Sequence, residues 1–273
     1  MIVTIDTGGT KTLISSFDET GAMGESIKFP TPKDTAEYAA LIKQTLAEKY
    51  ATQQVDVVVV AIPGIIKNGV AVWCQNLGWS NFDAASALAG ALGDVPILIE
   101  NDANLAGLAE TRILDPVPES AIYITVSTGI GSGIITNGKI DPGLRHSEAG
   151  RALIEYNGKV SEWESFASGR VIVDTYHQFA RDITDDHTWQ QIADRISRGF
   201  LAVIPIIQPD IIIIGGSVGT YFDRYGHHLE DILISRLPPH IPCPRIIQAQ
   251  HPEEAVIYGG YYYGIDYLAD QKA

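Results

Sequence analysis

Ile2-Val-Thr-Ile-Asp-Thr-Gly-Gly-Thr-Lys-Thr-Leu-Ile-Ser-Ser-Phe17 decides the fold. An apolar run closes on Asp6, a glycine-rich tip follows at Thr7–Thr10, and Thr12–Phe17 reads as the return strand of a hairpin. Glycines lack a β-carbon, so their backbone N–H groups can approach phosphate oxygens closely, and threonine hydroxyls add donors. The design recurs. Ala121–Val126 reads as a strand, Ser127-Thr-Gly-Ile-Gly-Ser-Gly133 holds a second glycine-rich turn, and Gly133–Thr136 returns toward an Asn137-Gly138 hairpin turn. One such loop is a weak signal. Two at equivalent places in a duplicated topology can clamp a polyphosphate from both sides.

Outward from the first hairpin, Asp18–Gly21 is a turn, Gly24–Phe29 a third strand, and Ala36–Tyr50 a helix by the spacing of Ala39, Ile42, Leu46 and Tyr50. Val55–Ile62 is a β-branched run suited to a strand buried on both faces. Phe82–Leu92 reads as helix, Pro96–Ile99 as strand and Ala103–Thr111 as helix. After the second hairpin come helical stretches at Gly169–Asp182 and Trp189–Ile207, a strand at Asp210–Ile214 and a Gly215-Gly216 turn. A helix at Tyr221–Ser235, a strand at Arg245–Gln248 and a last helix near Glu253–Leu268 complete the chain. The class is α/β in two halves, residues 1–115 and 116–273, with Leu114–Glu119 as linker and the last helix free to pack back on the first half. Small residues in Tyr258-Gly-Gly-Tyr-Tyr-Tyr-Gly264 suit close helix packing.

Composition narrows the function. The 273 residues carry 33 acidic and 19 basic side chains, a formal charge of −14. That lacks the electrostatic footprint of a nucleic-acid binder. Cys74 and Cys243 cannot build a disulfide framework or a four-cysteine zinc site. No basic-then-apolar leader follows Met1, and the apolar runs near Val57–Ile66 and Ile211–Ile214 are far short of the ~18 residues that span a bilayer. The expectation is a soluble, cytoplasmic protein with neither nucleic acid nor membrane as partner.

Competing phosphate motifs fail. A Walker A loop needs Gly-Lys-Ser/Thr, whereas the order here is Gly9-Thr10-Lys11-Thr12. A dinucleotide fingerprint needs a third glycine and a following helix, but the chain after Gly133 reads as strand and turn. Asp6 at the loop mouth can hold Mg²⁺ directly or through water, or simply cap the turn amides. Lys11 either meets phosphate or faces solvent. In Glu100-Asn101-Asp102-Ala103-Asn104, Asp102 can accept a hydroxyl proton while Asn101 positions substrate. The alternative is that these residues cap the helix that follows.

Taken in order, Asp6–Lys11, Ile62-Pro-Gly64, Gln75-Asn-Leu-Gly-Trp79, Glu100–Asn104, Ser127–Gly133, Ser147-Glu-Ala-Gly150, Glu164 with Ser168-Gly169, and Asp210–Gly216 resemble the ROK family of bacterial sugar kinases and repressors. The resemblance implies two RNase H-like lobes of the actin-like ATPase fold with a central cleft, ATP and Mg²⁺ as cofactors, and a hexose as substrate. It makes Asp102 the catalytic base and gives Gly64, Asn76, Asn101, Glu148 and Glu164 to the sugar. Gly8, Gly9, Thr10, Thr128 and Gly129 would face phosphates, and Gly215 and Gly216 the adenosine.

The departures also matter. Family members mostly carry a Cys-x-Cys-Gly-x-x-Gly-Cys zinc cluster with a histidine just upstream. Here Ile154–Glu164 has no cysteine and Arg151 stands at the histidine position, so no structural zinc is expected there. Arg151 is expected either to contact the sugar or to pair with Glu148, and His146 is a further candidate. The expected activity is transfer of the γ-phosphoryl group of ATP to a hexose hydroxyl, the 6-hydroxyl of glucose or of a related or N-acetylated hexose. The rival is a non-catalytic, sugar-responsive regulatory protein of the same fold. A DNA-binding repressor is not the expectation, since Met1 leads directly into the first strand, and a homodimer is among the expectations.

Overall fold

The computed structural model describes residues 1–251 and 254–272, which fall into two compact units, 1–109 with 254–273 and 110–253. The division lies inside a helix rather than in the Pro116–Pro118 stretch, because that helix continues unbroken to Arg112.

In the first unit, β1 (Ile2–Thr7) and β2 (Lys11–Phe17) form the hairpin, with Asp6 opposite Leu13. β3 (Ile27–Pro30) follows, then α1 (Thr35–Tyr50), whose first amides are capped by Asp34. β4 (Val57–Ile62) is buried at every residue. β5 (Ile65–Lys67), β6 (Val70–Cys74) and β7 (Trp79–Asp83) make a small antiparallel sheet absent from the sequence reading. The helix expected over Phe82–Leu92 shrinks to α2 (Ala84–Leu88). Phe82 and Asp83 are taken by β7, and Gly90 and Gly93 adopt positive φ just past the helix. β8 (Ile97–Asn101) then runs into α3 (Asp102–Arg112). The main sheet has the order β3-β2-β1-β4-β8, with β1, β4 and β8 parallel.

The second unit repeats the plan. β9 (Ser120–Val126), β10 (Ile130–Thr136) and β11 (Lys139–Ile140) form the antiparallel half. A separate hairpin of β12 (Leu153–Tyr156) and β13 (Lys159–Glu162) leads to α4 (Glu164–Ala167), α5 (Gly169–Tyr176) and the long α6 (Asp186–Ile207). β14 (Ile211–Gly215), α7 (Gly216–Gly219), α8 (Phe222–Arg236) and β15 (Arg245–Gln248) close a sheet of order β11-β10-β9-β14-β15. Position for position this is the order of the first sheet, which is the duplication read from the two hairpins. Its core packs Ile122, Ile124, Ile212 and Ile214 against Trp189, Phe200, Tyr225 and Leu229.

α9 (Ala255–Asp270) belongs to the first unit; Glu253, expected to start it, lies outside the described residues. Strand alternation explains the arrangement. Val3, Ile5, Val58 and Val60 form one core with Tyr38, Ile42 and Leu46 of α1. The opposite face, with Ile2, Thr4, Val57 and Val59, receives α9 at Gly260 and Gly264. A β-carbon at Gly259 would collide with the Leu105 carbonyl, so the helix lies on α3 only because that position is bare. No helix among the described residues is long and apolar enough to cross a membrane.

Candidate active site

The carboxyl ends of three parallel strands set the geometry of the first unit. Register places Asp6 beside Ala61 and Ala61 beside Glu100, so Asp6 and the start of α3 share one rim of the sheet. Open α/β sheets bind ligands at such rims. Asp6 is partly buried, and loss of water together with the nearby Asp102 charge pushes its carboxyl up to about 7, against an opposing pull from Lys11. Burial also raises Asp102, while the Ala103 amide works the other way.

Helix capping at this rim falls to Asn101, whose Oδ1 accepts the Asn104 amide at 3.0 Å. Its Nδ2 donates to the Gly64 carbonyl at 2.8 Å, leaving one amide hydrogen for a ligand. Gly64 sits at φ +95°, and a β-carbon there would strike the Trp73 carbonyl. Glu100, 2% exposed, accepts the Asn101 amide and the Asn104 side chain. Asp102 is thereby released from capping duty; its carboxylate accepts the adjacent Ala103 amide at 2.9 Å and its own main-chain amide.

The first glycine loop is stapled from the segment after β3. Gly8 N–H donates to Lys11 O, Thr31 Oγ1 donates to Gly8 O at 2.8 Å, and Thr31 N–H donates to Thr10 O at 3.0 Å. Lys33 Nζ donates to Gly9 O at 2.6 Å and to Asn76 O at 3.0 Å, and Trp79 Nε1 donates to Lys33 O. Gly9, Lys33 and Asn76 are thus one cluster, and Thr10 is exposed at its edge. Sequence reading missed Thr31 and Lys33. Nothing marks them in the chain, since their partners are main-chain carbonyls of other segments.

In the second unit, Glu164 opens α4 and lies against the second loop. Its Oε2 accepts the Ile130 amide at 3.1 Å and would stand 2.5 Å from a β-carbon at Gly129. Arg151 pairs with Glu164 Oε1 at 3.0 Å and with Glu162 at 2.7 Å. Gly129, Arg151 and Glu164 are therefore assembled in one place. Glu148 precedes a single 3₁₀ turn over Ala149–Arg151 and borders an apolar pocket of about 240 Å³ with Val203, Ile206 and Ile207, whose lining includes neither Arg151 nor Glu164. His146 is exposed. The β12–β13 hairpin, turned by Asn157 and Gly158 at positive φ, occupies the cysteine-free segment.

A larger pocket, about 460 Å³, opens beside the second loop. Ser127 and Thr128 line it with Arg170, Phe179, Ser217 and Tyr221. Gly215 and Gly216 do not line it. They form the turn, with Gly216 at φ +80°, that presents Ser217. Phe179 and Tyr221 give it aromatic walls, each with an arginine (Arg181, Arg224) over the ring.

Residues 2–264 match the ROK family profile. The chain belongs to the ROK family. It is 30% identical to an N-acetylmannosamine kinase of Haemophilus influenzae, over 98% of this chain and 96% of that one. It is also 30% identical to a polyphosphate glucokinase of Mycobacterium tuberculosis, over 83% and 81%. Among solved structures, a ROK family glucokinase from Streptomyces griseus in complex with glucose and AMPPNP superposes with a TM-score of 0.78 at 21% identity, covering 96% of this chain and 98% of its own. The α/β fold of this ROK protein is that of the actin-like sugar kinases.

Proposed function

We propose that this ROK protein is an ATP- and Mg²⁺-dependent kinase that transfers the γ-phosphoryl group to a hexose hydroxyl. The observation that carries the reading is the pair of partly buried carboxylates, Asp6 and Asp102, on one sheet rim beside a glycine–threonine loop with its carbonyls tied back. With those carbonyls engaged, Gly8, whose own amide is bound to Lys11 O, holds the turn, and the amides of Gly9, Thr10 and Lys11 and the Thr10 hydroxyl serve a phosphate chain from this unit. Thr128 and Gly129 do so from the second, and the aromatic-walled pocket takes the adenosine.

Two hard carboxylates that repel one another fit a divalent cation. Mg²⁺, when bound, supplies charge neutralisation for the phosphates, and Asp6 would hold it directly or through water. Asp102, its acidity weakened by burial, takes the hydroxyl proton as the sugar oxygen bonds to the γ-phosphorus and the bond to the ADP oxygen breaks. Gly64, Asn76, Asn101, Glu148, Arg151 and Glu164 contact the sugar. Arg151, standing where relatives have a histidine, acts by holding Glu164 against the second loop.

Relatives are named for glucose and for N-acetylmannosamine, so the acceptor is the 6-hydroxyl of glucose or of a related or N-acetylated hexose. The test is coupled ADP release from ATP with glucose, mannose, N-acetylglucosamine and N-acetylmannosamine, run beside detection of the sugar phosphate with polyphosphate as donor. One hexose should raise ADP release well above the hexose-free rate. Sugar binding without turnover across the panel and both donors would overturn the kinase reading in favour of a sugar-responsive regulator.

A further inference from the structure

Away from the loops and both pockets, α8 brings two histidines against the start of α6. The donor atoms of Asp186, His227 and His228 all lie within 4.8 Å of one another. His228 Nε2 is 2.9 Å from Asp186 Oδ1, and the two imidazole rings lie with centroids 3.9 Å apart, tilted by 39°. We propose that this trio is a binding site for one divalent transition-metal ion, of the zinc, cobalt or nickel class.

The donor set selects the metal. Two imidazoles and one carboxylate suit borderline ions, whereas Mg²⁺ and Ca²⁺ favour all-oxygen sites. Bond lengths near 2.0–2.2 Å put tetrahedral ligands about 3.4 Å apart. The observed Nε2–Oδ1 separation is already inside that figure, and the remaining donor closes by rotation of an exposed His227 side chain. In the metal-free state a proton on Nε2 makes the hydrogen bond to Asp186; an incoming ion takes its place on Nε2 and the proton passes through solvent to Nδ1 of the same ring. Asp186 and His227 are exposed, so the ion has open access and keeps a place for water. Three ligands from two helices make the site an exchangeable clamp between α6 and α8. It differs from the cysteine-type zinc whose absence is expected at 154–164, and it shares no residue with the Asp6–Asp102 rim.

The experiment is Zn²⁺ titration of the untagged full chain by calorimetry, in excess Mg²⁺, with melting followed in parallel. One Zn²⁺ per chain is expected, with a rise in melting temperature. His227→Asn and His228→Asn should each weaken binding by at least the ~10–100-fold typical of losing even an outer-shell partner, and should abolish the melting shift. His240→Asn should change neither. Because the altered side chains lie at the surface, melting without metal reports whether each variant is folded. Absence of Zn²⁺ binding tighter than ~100 μM overturns the proposal, as does affinity that survives either histidine substitution in a folded variant.

Discussion

Asp102 is the residue on which chemistry and shape can be separated. Asn101 caps α3, so Asp102→Asn leaves the helix start intact and still offers an acceptor to Ala103. The expected result is a kcat lower by ~10²–10⁴-fold with sugar affinity little changed. Single-turnover kinetics with a hexose titration checks it, and a variant turning over near the parent rate would remove Asp102 from the mechanism. Asp6 makes a prediction about stability. Its carboxyl sits at about 7 in the fold against an ordinary 3.8, so between those values the folded chain holds a proton that the unfolded chain has released. Stability therefore falls as pH rises through that window, by on the order of a few kcal/mol at ~1.4 kcal/mol per pH unit. Asp6→Asn should melt several degrees above the parent at pH 8, with the gap closing toward pH 4, while losing phosphoryl transfer. Equal melting at pH 8 would show that the buried charge costs nothing.

The loop and helix elements divide into those written in their own residues and those written elsewhere. β1, β4, β9 and β14 announce themselves because both faces are buried, and near-unbroken apolar runs follow. The β5–β7 sheet and the β12–β13 hairpin do not, since the short strands of the first mix exposed and buried residues and those of the second are at most half-buried. A signal existed all the same. Asn68-Gly69 and Asn157-Gly158 take positive φ in the manner of the recognised Asn137-Gly138 turn. Lys33 is the opposite case, a charged residue on an exposed connection whose importance depends on two distant carbonyls. Lys33→Met should loosen the first loop from the Asn76 turn at a cost of roughly 1 kcal/mol, about five- to tenfold in kcat/KM, with melting nearly unchanged. Wild-type kinetics in steady-state assays would make the staple a bystander. In α9, Gly259→Ala must push the helix off α3 because its β-carbon would meet the Leu105 carbonyl. A fall in melting temperature is expected despite alanine's higher helix propensity of ~1 kcal/mol. A rise would mean that the helix–helix contact is slack.

At the scale of the molecule, the two sheets share one strand order, and the repeated glycine hairpin was the feature that made the duplication legible. The division of the chain was not legible to the residue, because α3 carries continuous helical spacing across it and α9 rejoins the first unit from far along the sequence. Removing residues from 252 onward should uncover Ile2, Thr4, Val57 and Val59 on one face of the first sheet. Hydrogen exchange should then show the first unit unprotected while the amides of β9 and β14 remain slow to exchange; uniform protection would mean that α9 is dispensable. The same arrangement orders events during translation. Residues 110–253 leave the ribosome while the first sheet is still bare on one side, so the second unit is the earlier to mature although it is the later to be encoded. Until α9 emerges, the nascent first sheet carries an uncovered apolar face of the kind chaperones recognise, and its release from them waits on a helix encoded after the whole of the second unit.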